Sequence, residues 1–220
     1  TTHCRMSQLA RTILGLRSIV VLSGPSHAEE VARRLPTAVV AASEEEELTR
    51  RVQQLFSGPA FRVYTSPDPL GVEIGGAVKN VIAIAVGVSD GLGFGDNSRA
   101  ALITRGLAEI TRFGTALGAC PATFSGLSGA GDLIVTCTSR HSRNHMVGER
   151  LGRGERIQEI LDSMKMVAEG VWNAKIIHAL SRTHGVSMPI TEVVHALCYE
   201  GLSARDAVEA LMTREVKPEQ

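Results

Sequence analysis

A lysine lies in the middle of an apolar helical stretch, VEIGGAVKNVIAIAVGV, that runs from Val72 to Val88. The residues one helical turn from Lys79 are small or apolar: Gly75, Gly76, Ile82 and Ala83. A buried ammonium group without a partner is costly, so either the side chain reaches the surface or an acid from elsewhere meets it. Gly75 and Gly76 weaken a helix by about 1 kcal/mol each, which indicates that another part of the chain approaches the backbone there.

A second group of polar residues lies in LSGAGDLIVTCTSRHSRNH, residues 127–145. Asp132 lies in the first turn of a predicted helix that is otherwise apolar there, and Thr136 follows one turn later on the same face. Ser142, Arg143 and Asn144 then stand at the predicted start of another helix. An arginine beside free helix-terminal N–H groups suits a phosphate. The alternative is a serine N-cap beside a solvated arginine.

The segment GPSHAEE, residues 24–30, is predicted to be a turn between a strand and a helix. Ser26 is predicted to be the helix N-cap, with Glu29 completing a capping box. In an α/β sheet, a turn at the carboxyl end of a strand is also a place where ligands bind.

Three other patterns predict no site. GLGFG (residues 91–95) and GAGDLI (residues 129–134) resemble dinucleotide-binding glycine motifs, but neither completes G-x-G-x-x-G or follows a predicted strand. Cys137, His141 and His145 have a spacing that could suit a metal, yet a polar turn separates them and no fourth ligand is evident. We therefore expect no metal.

The first part of the chain alternates strand-like and helical segments. The predicted strands are residues 18–24, 37–43 and 60–66, all in short runs rich in β-branched residues. Ser43 is predicted to cap the helix that follows it, with glutamates in its first turn. This alternation indicates part of a parallel α/β sheet.

After Pro69 the pattern is helical throughout. In SRAALITRGLAEITRFGTALGA an apolar stripe includes Ile103, Ile110 and Leu117, and Arg105 and Glu109 are expected on the opposite side as an i, i+4 pair. Further helices are predicted at residues 144–151, 155–164, 171–183, 190–199 and 204–213. We therefore predict an α/β region followed by an all-helical one.

Composition excludes several classes of function. The 220 residues carry a net charge of zero and 4% aromatic residues, which argues against nucleic-acid and membrane-surface binding. The four cysteines have no paired spacing, and no signal peptide is recognised, so we expect reduced thiols and a cytoplasmic location. Residues 72–88 are short for a membrane span and include Glu73 and Lys79, so a buried core helix is the better interpretation.

Several segments together resemble the bacterial type of NAD(P)-dependent glycerol-3-phosphate dehydrogenase. They are GPSHAEE, LPTAVVAAS, GVEIGGAVKN with the residues that follow it, GLSGAGDLIVTCTSRHSRN and MPITEVVHALCYEG, in that order. The resemblance implies a Rossmann-like sheet domain, truncated here to residues 1–68, and a helical substrate domain at residues 69–220. It also implies interconversion of dihydroxyacetone phosphate and sn-glycerol 3-phosphate for phospholipid synthesis, in what we expect to be a homodimer.

The resemblance also implies a role for each matching residue. Lys79 corresponds to the general acid/base and Asp132 to the carboxylate beside the substrate. The other expected substrate contacts are Gly24, Ser26, Asn80, Thr136, Ser142, Arg143 and Asn144. The expected NAD or NADP contacts are Ala28, Arg143, Val167 and Glu169. His27 and His141 receive no role.

The family's glycine-rich cofactor loop and a further substrate lysine are not found in these 220 residues. We therefore expect the chain by itself to bind NAD weakly and to catalyse little or nothing. Two alternatives stay open: a non-catalytic helical module that binds a ligand or dimerises, and a dehydrogenase of another phosphorylated or hydroxy-acid substrate. The choice between NAD and NADP is also open, because ribose-contacting residues decide it.

Overall fold

The computed structural model describes residues 4–164, 166–216 and 218 of the chain. A helix, α1 (Met6–Leu14), precedes three strands, β1 (Val21–Ser23), β2 (Thr37–Ala42) and β3 (Phe61–Ser66). Helices α2 (Ala28–Ala32) and α3 (Glu46–Phe56) connect the strands. Every regular element described after β3 is a helix, so the predicted order of an α/β region followed by an all-α region is confirmed.

The sheet is mixed, with the strands in the order β1-β2-β3. β2 and β3 are parallel, with Thr37 opposite Phe61. β1 is antiparallel to β2, with Val21 opposite Ala42, so the prediction of a parallel sheet is wrong for this strand. The connection between β1 and β2 contains only the short helix α2, which is too short to carry the chain back along the strand. The predicted strand at residues 18–24 also shortens to three residues, Val21–Ser23.

Two predicted helix caps differ from the structure. Ser26 does not cap α2; its hydroxyl donates to the Gly24 carbonyl oxygen at 2.9 Å, and His27 occupies the N-cap position. Ser43 lies two residues before the N-cap of α3, which is Glu45, and accepts a hydrogen bond from the Glu45 N–H at 3.3 Å. Both serines satisfy nearby backbone groups in turns, which competes with capping.

The central helix is α4 (Pro69–Gly91), which includes the lysine-containing stretch. It begins at a well-formed cap, because the Asp68 carboxylate accepts from the Gly71 N–H at 2.8 Å and Pro69 occupies the first turn. By length and composition α4 could cross a membrane, but 78% of its most apolar window is buried inside the protein. It is therefore the core helix that the sequence predicts.

The other helices pack around α4 in one apolar core. In chain order they are α5 (Asp96–Ala116), a 3-10 helix (Pro121–Ser125), a π-helical turn (Leu127–Gly131), α6 (Asp132–Thr138), α7 (Arg143–Gly152), α8 (Ile157–Ser163), α9 (Glu169–Thr183), α10 (Pro189–Tyr199) and α11 (Ala204–Met212). The sheet has smaller apolar clusters, and Val72 of α4 joins the one formed by Val40 and Ala42. The sheet therefore packs against the beginning of α4.

α4 and α7 cross in direct backbone contact. A Cβ at Gly87 would overlap the His145 carbonyl oxygen, and a Cβ at Gly148 would overlap the Ile84 carbonyl oxygen. Only glycine permits this approach. The crossing fixes the first turn of α7 against the core helix.

Glu109 of α5 is buried, whereas the sequence pattern predicts it on the exposed side of its helix. Its carboxylate accepts from the Ile190 N–H at 2.6 Å and from the Thr191 N–H at 3.3 Å. These are free N–H groups in the first turn of α10, so Glu109 caps a helix distant in sequence. Burial raises the pKa of Glu109 from 4.5 to about 7, although these hydrogen bonds oppose the shift.

We expect stability to depend on the protonation of Glu109. Because the pKa in the folded protein is raised from 4.5 to about 7, the stabilisation from protonation is complete below pH 4.5 and is lost as the pH rises through about 7. Glu109→Gln removes this titration. The measurement is urea unfolding monitored by circular dichroism. As the pH rises from 4.5 to about 7, the unfolding free energy of wild type should fall by about 3 kcal/mol relative to that of the variant.

Glu47→Gln is the matched control, since Glu47 is exposed on α3. It should leave the pH profile of stability like that of wild type. A constant difference between wild type and Glu109→Gln from about pH 4 to about pH 8 would contradict the raised pKa.

Candidate active site

An acid from another part of the chain meets the ammonium group of Lys79. The distance from Lys79 Nζ to Asp132 Oδ2 is 2.5 Å. The Lys79 side chain is 18% exposed and the Asp132 side chain 5% exposed. The lysine therefore does not extend to the surface, which was the other arrangement that the sequence allowed. The partner that a buried ammonium group requires is therefore Asp132, 53 positions further along the chain.

The close approach predicted at the paired glycines occurs at Gly75. A Cβ there would lie 2.6 Å from the Ser128 carbonyl oxygen, which belongs to the π-helical turn Leu127–Gly131. Gly76 makes only an ordinary contact, since its Cβ would be 3.4 Å from Ser23 Oγ. Gly75 thus lets the π-helical turn lie on α4, and the turn leads directly into Asp132.

Asp132 is the first residue of α6 and is buried. Thr136 Oγ1 donates to the Asp132 carbonyl oxygen at 2.6 Å and lies 3.3 Å from Asp132 Oδ1. Burial raises the pKa of Asp132, and the ammonium group of Lys79 opposes this shift. The pair therefore holds a positive and a negative group in contact in surroundings that admit little water.

A chain of amide hydrogen bonds connects α4, α7 and α9 next to this pair. Asn144 Nδ2 donates to Asn80 Oδ1 at 2.9 Å, and the Gly170 N–H donates to Asn144 Oδ1 at 2.8 Å. Asn80 Nδ2 also contacts the Gly76 carbonyl oxygen at 3.3 Å. Both asparagines are expected to contact substrate, and these hydrogen bonds also connect the three helices.

Ser142 and Arg143 stand at the beginning of α7. Ser142 is the N-cap, as predicted, and its hydroxyl accepts from the His145 N–H at 3.2 Å. Arg143 is exposed, and its Nη1 donates to the Val167 carbonyl oxygen at 2.9 Å. Val167 is exposed too, and Glu169 begins α9 two residues later. Arg143, Val167 and Glu169, the expected cofactor-facing residues of the helical region, therefore lie together.

The turn after β1 carries the remaining predicted residues. Gly24 is buried, Ser26 is exposed with its hydroxyl bonded to Gly24, and Ala28 begins α2 on the exposed side. The turn reaches the site at Pro25, because a Cβ at Gly131 would lie 3.7 Å from Pro25 Cδ. Gly131 immediately precedes Asp132, so this turn and the ion pair are neighbours.

Sequence reasoning assigned no role to His27, which lies in the same turn. Its ring is half-buried, and its Nε2 atom is shielded from solvent with no hydrogen-bond partner among the residues that the structure describes. The feature of the sequence that could have drawn attention to His27 is its position within GPSHAEE, between the predicted contacts Ser26 and Ala28. The pattern alone did not distinguish this from a surface histidine.

Two family models match the chain. The model described as NAD-dependent glycerol-3-phosphate dehydrogenase C-terminus matches residues 68–209, and the corresponding N-terminus model matches residues 1–49. The chain is 54% identical over 218 residues to a protein named glycerol-3-phosphate dehydrogenase [NAD(P)+] from Desulfitobacterium hafniense, covering 99% of the chain and 62% of that relative. It is 61% identical over 199 residues to a protein of the same name from Geobacter metallireducens, covering 90% of the chain and 59% of that relative.

The chain is also similar to a solved structure of a glycerol-3-phosphate dehydrogenase. The crystal structure of glycerol-3-phosphate dehydrogenase from Coxiella burnetii superposes with a TM-score of 0.92 at 42% identity, over 96% of this chain and 65% of that one. The chain thus spans less than two thirds of the length of these relatives. Since one family model covers well over half of the residues, the chain belongs to the NAD-dependent glycerol-3-phosphate dehydrogenase family.

Proposed function

We propose that the full-length protein interconverts dihydroxyacetone phosphate and sn-glycerol 3-phosphate with NAD or NADP, in the service of glycerophospholipid synthesis. The family membership and the names of the relatives support this reaction. The observation that carries the proposal is the buried contact between Lys79 Nζ and Asp132 Oδ2. An ammonium group held by a carboxylate is a proton donor of fixed position.

In this proposal Lys79 supplies the proton of the reduction. As hydride adds to the carbonyl carbon of dihydroxyacetone phosphate, the carbonyl oxygen takes a proton from the Lys79 ammonium group and becomes the hydroxyl at C2. In the reverse direction the neutral amine takes that proton back. Asp132 holds the amine in place and accepts from the substrate hydroxyl, and the Thr136 hydroxyl lies 3.3 Å from Asp132 Oδ1.

The first turn of α7 is proposed to bind the phosphate. Its free N–H groups and the helix dipole favour an anion, and the Arg143 guanidinium adds charge-assisted hydrogen bonds. The hydroxyl of Ser142 can still donate, because its capping bond uses only its oxygen as acceptor. Asn80 and Asn144 keep this turn beside Lys79. Gly24 and Ser26 are proposed to approach the substrate from the β1–α2 turn.

The residues proposed for the cofactor fit a ligand that is partly apolar and partly anionic. The exposed guanidinium of Arg143 donates to the carbonyl oxygen of Val167, whose side chain is exposed, and Glu169 and Ala28 lie at exposed helix starts. When bound, the nicotinamide supplies the hydride. The protein's part is to hold the substrate carbonyl beside Lys79 and to keep water away from the ion pair.

We further propose the division into a sheet domain at residues 1–68 and a helical domain at residues 69–220, with the site between them. The apolar cluster of Val39, Ala41 and Val63 under the sheet is separate from the large core around α4, which supports this boundary. A cytoplasmic location fits the free cysteines Cys120, Cys137 and Cys198. Assembly as a homodimer is part of the same proposal.

Replacing Lys79 should remove turnover and leave binding measurable. Lys79→Ala in the full-length protein should lower kcat for dihydroxyacetone phosphate by a hundredfold or more, in the range of about 10²–10⁴ for lost general acid–base catalysis. Lys79→Met keeps the apolar part of the side chain, so it provides a second test if Lys79→Ala does not fold. Turnover is followed by NADH and NADPH absorbance, and glycerol 3-phosphate binding by calorimetry.

Lys175→Ala is the matched control, because Lys175 is exposed on α9. It should keep the kcat of wild type. Near-normal turnover in Lys79→Met would refute the role of Lys79. A wild-type protein that does not reduce dihydroxyacetone phosphate would refute the proposed function.

Arg143 should matter for binding. Arg143→Ala should lower kcat/KM for dihydroxyacetone phosphate by roughly 10- to 150-fold, as expected for the loss of a charge-assisted hydrogen bond. Arg143→Lys should recover part of the loss, since lysine keeps the charge but not the planar fork. Arg140→Ala is the control, since Arg140 is exposed in the preceding turn, and it should behave as wild type. An Arg143→Ala enzyme with unchanged kcat/KM would place the phosphate elsewhere.

A further inference from the structure

The imidazole of His27 has a buried nitrogen with no hydrogen-bond partner in the part of the chain that the structure describes. Nε2 is shielded from solvent and makes no hydrogen bond to the described residues, although the ring as a whole is only half-buried. Leaving such a group without a hydrogen bond is unfavourable, because it loses its bonds to water and gains none in the protein. A buried nitrogen of this kind beside a candidate active site suits a bound ligand that completes its hydrogen bonding.

His27 lies close to the ion pair. It follows Pro25 by two residues in the turn that contacts Gly131, and Gly131 adjoins Asp132. The two groups also interact electrostatically, since the His27 imidazole is among the groups that oppose the burial-driven rise in the pKa of Asp132. The turn therefore brings His27 to the side of Asp132.

His27 also lies close to the segment that begins α7. The centroids of the His27 and His141 rings are 6.0 Å apart. His141 directly precedes Ser142, the N-cap of α7. The ring of His27 is thus near both the carboxylate proposed to hold the substrate hydroxyl and the turn proposed to bind its phosphate.

We propose that His27 is a further substrate-contacting residue, whose Nε2–H donates a hydrogen bond to an oxygen of the phosphorylated three-carbon substrate between Asp132 and the first turn of α7. This inference rests on the proposed function. The acceptor is either a phosphate oxygen or the oxygen of a hydroxyl or carbonyl group, and both have the same chemistry towards an imidazole N–H.

The test uses the full-length protein with two substitutions at this position. His27→Phe keeps a flat ring and removes both nitrogens, while His27→Gln restores an N–H donor at a similar reach. We expect His27→Phe to raise the KM for dihydroxyacetone phosphate about tenfold or more, with kcat changed less than about threefold and the KM for NADH unchanged. His27→Gln should recover most of the loss. His184→Phe, at an exposed position, is the control and should match wild type.

Inhibition by inorganic phosphate identifies the acceptor. If the inhibition constant of inorganic phosphate rises in His27→Phe in proportion to the KM, the contact is to the phosphate. If inhibition by phosphate is unchanged while the KM rises, the contact is to the hydroxyl or carbonyl oxygen. Either result supports the inference.

Three results would overturn it. An unchanged KM in His27→Phe means that Nε2 does not meet the substrate. An equal loss in His27→Phe and His27→Gln means that the effect does not come from the N–H donor. If wild type itself does not reduce dihydroxyacetone phosphate, the proposed function fails and this inference fails with it. If wild type reduces dihydroxyacetone phosphate and His27→Phe has the same KM as wild type, this inference is refuted and the proposed function is not.

Discussion

The structure depends on one ion pair, between the Lys79 ammonium group and the Asp132 carboxylate, in the interior of the protein. Breaking such a pair from one side leaves an unpaired charge and costs about 3–5 kcal/mol, so the two elements that carry it must be held at a fixed distance. α4 carries the lysine through the core, and the π-helical turn before α6 delivers the aspartate. Gly75 permits their contact, because a side chain there would meet the Ser128 carbonyl oxygen. A charged pair retained in an apolar core indicates chemistry more than stability.

The same helix positions the second half of the site. Glycines at the crossing of α4 and α7 bring the two backbones together, so the first turn of α7 lies next to the lysine. The Asn80–Asn144 hydrogen bond then fixes the rotation of α7, and the bond from Gly170 fixes α9. Arg143, which follows the N-cap, reaches Val167 on the loop before α9. Packing and hydrogen bonding along one helix thus set the relation between the proposed proton donor and the helix terminus proposed to bind the phosphate.

Much of this arrangement could be predicted from the sequence, and the failures have physical causes. The apolar surroundings of Lys79 required a distant acid, and Gly75 indicated a close backbone approach. The residues alone did not say which acid, since that depends on tertiary contacts; only the family resemblance pointed to Asp132. The direction of β1 was predicted wrongly because the residue pattern of a strand does not show which way it runs, and because α2 is too short to return the chain for a parallel strand. Glu109 was misplaced because a carboxylate that caps a distant helix looks, in sequence, like one half of a surface pair.

The most direct measurement is a crystal structure of the full-length protein with an oxidised nicotinamide cofactor and glycerol 3-phosphate bound. The account predicts that Lys79 Nζ lies within hydrogen-bonding distance, about 3 Å, of both the C2 oxygen and Asp132, with the phosphate at the first turn of α7. A complex in which the amine of Lys79 points away from the C2 oxygen, or in which the phosphate binds on another surface, would contradict it.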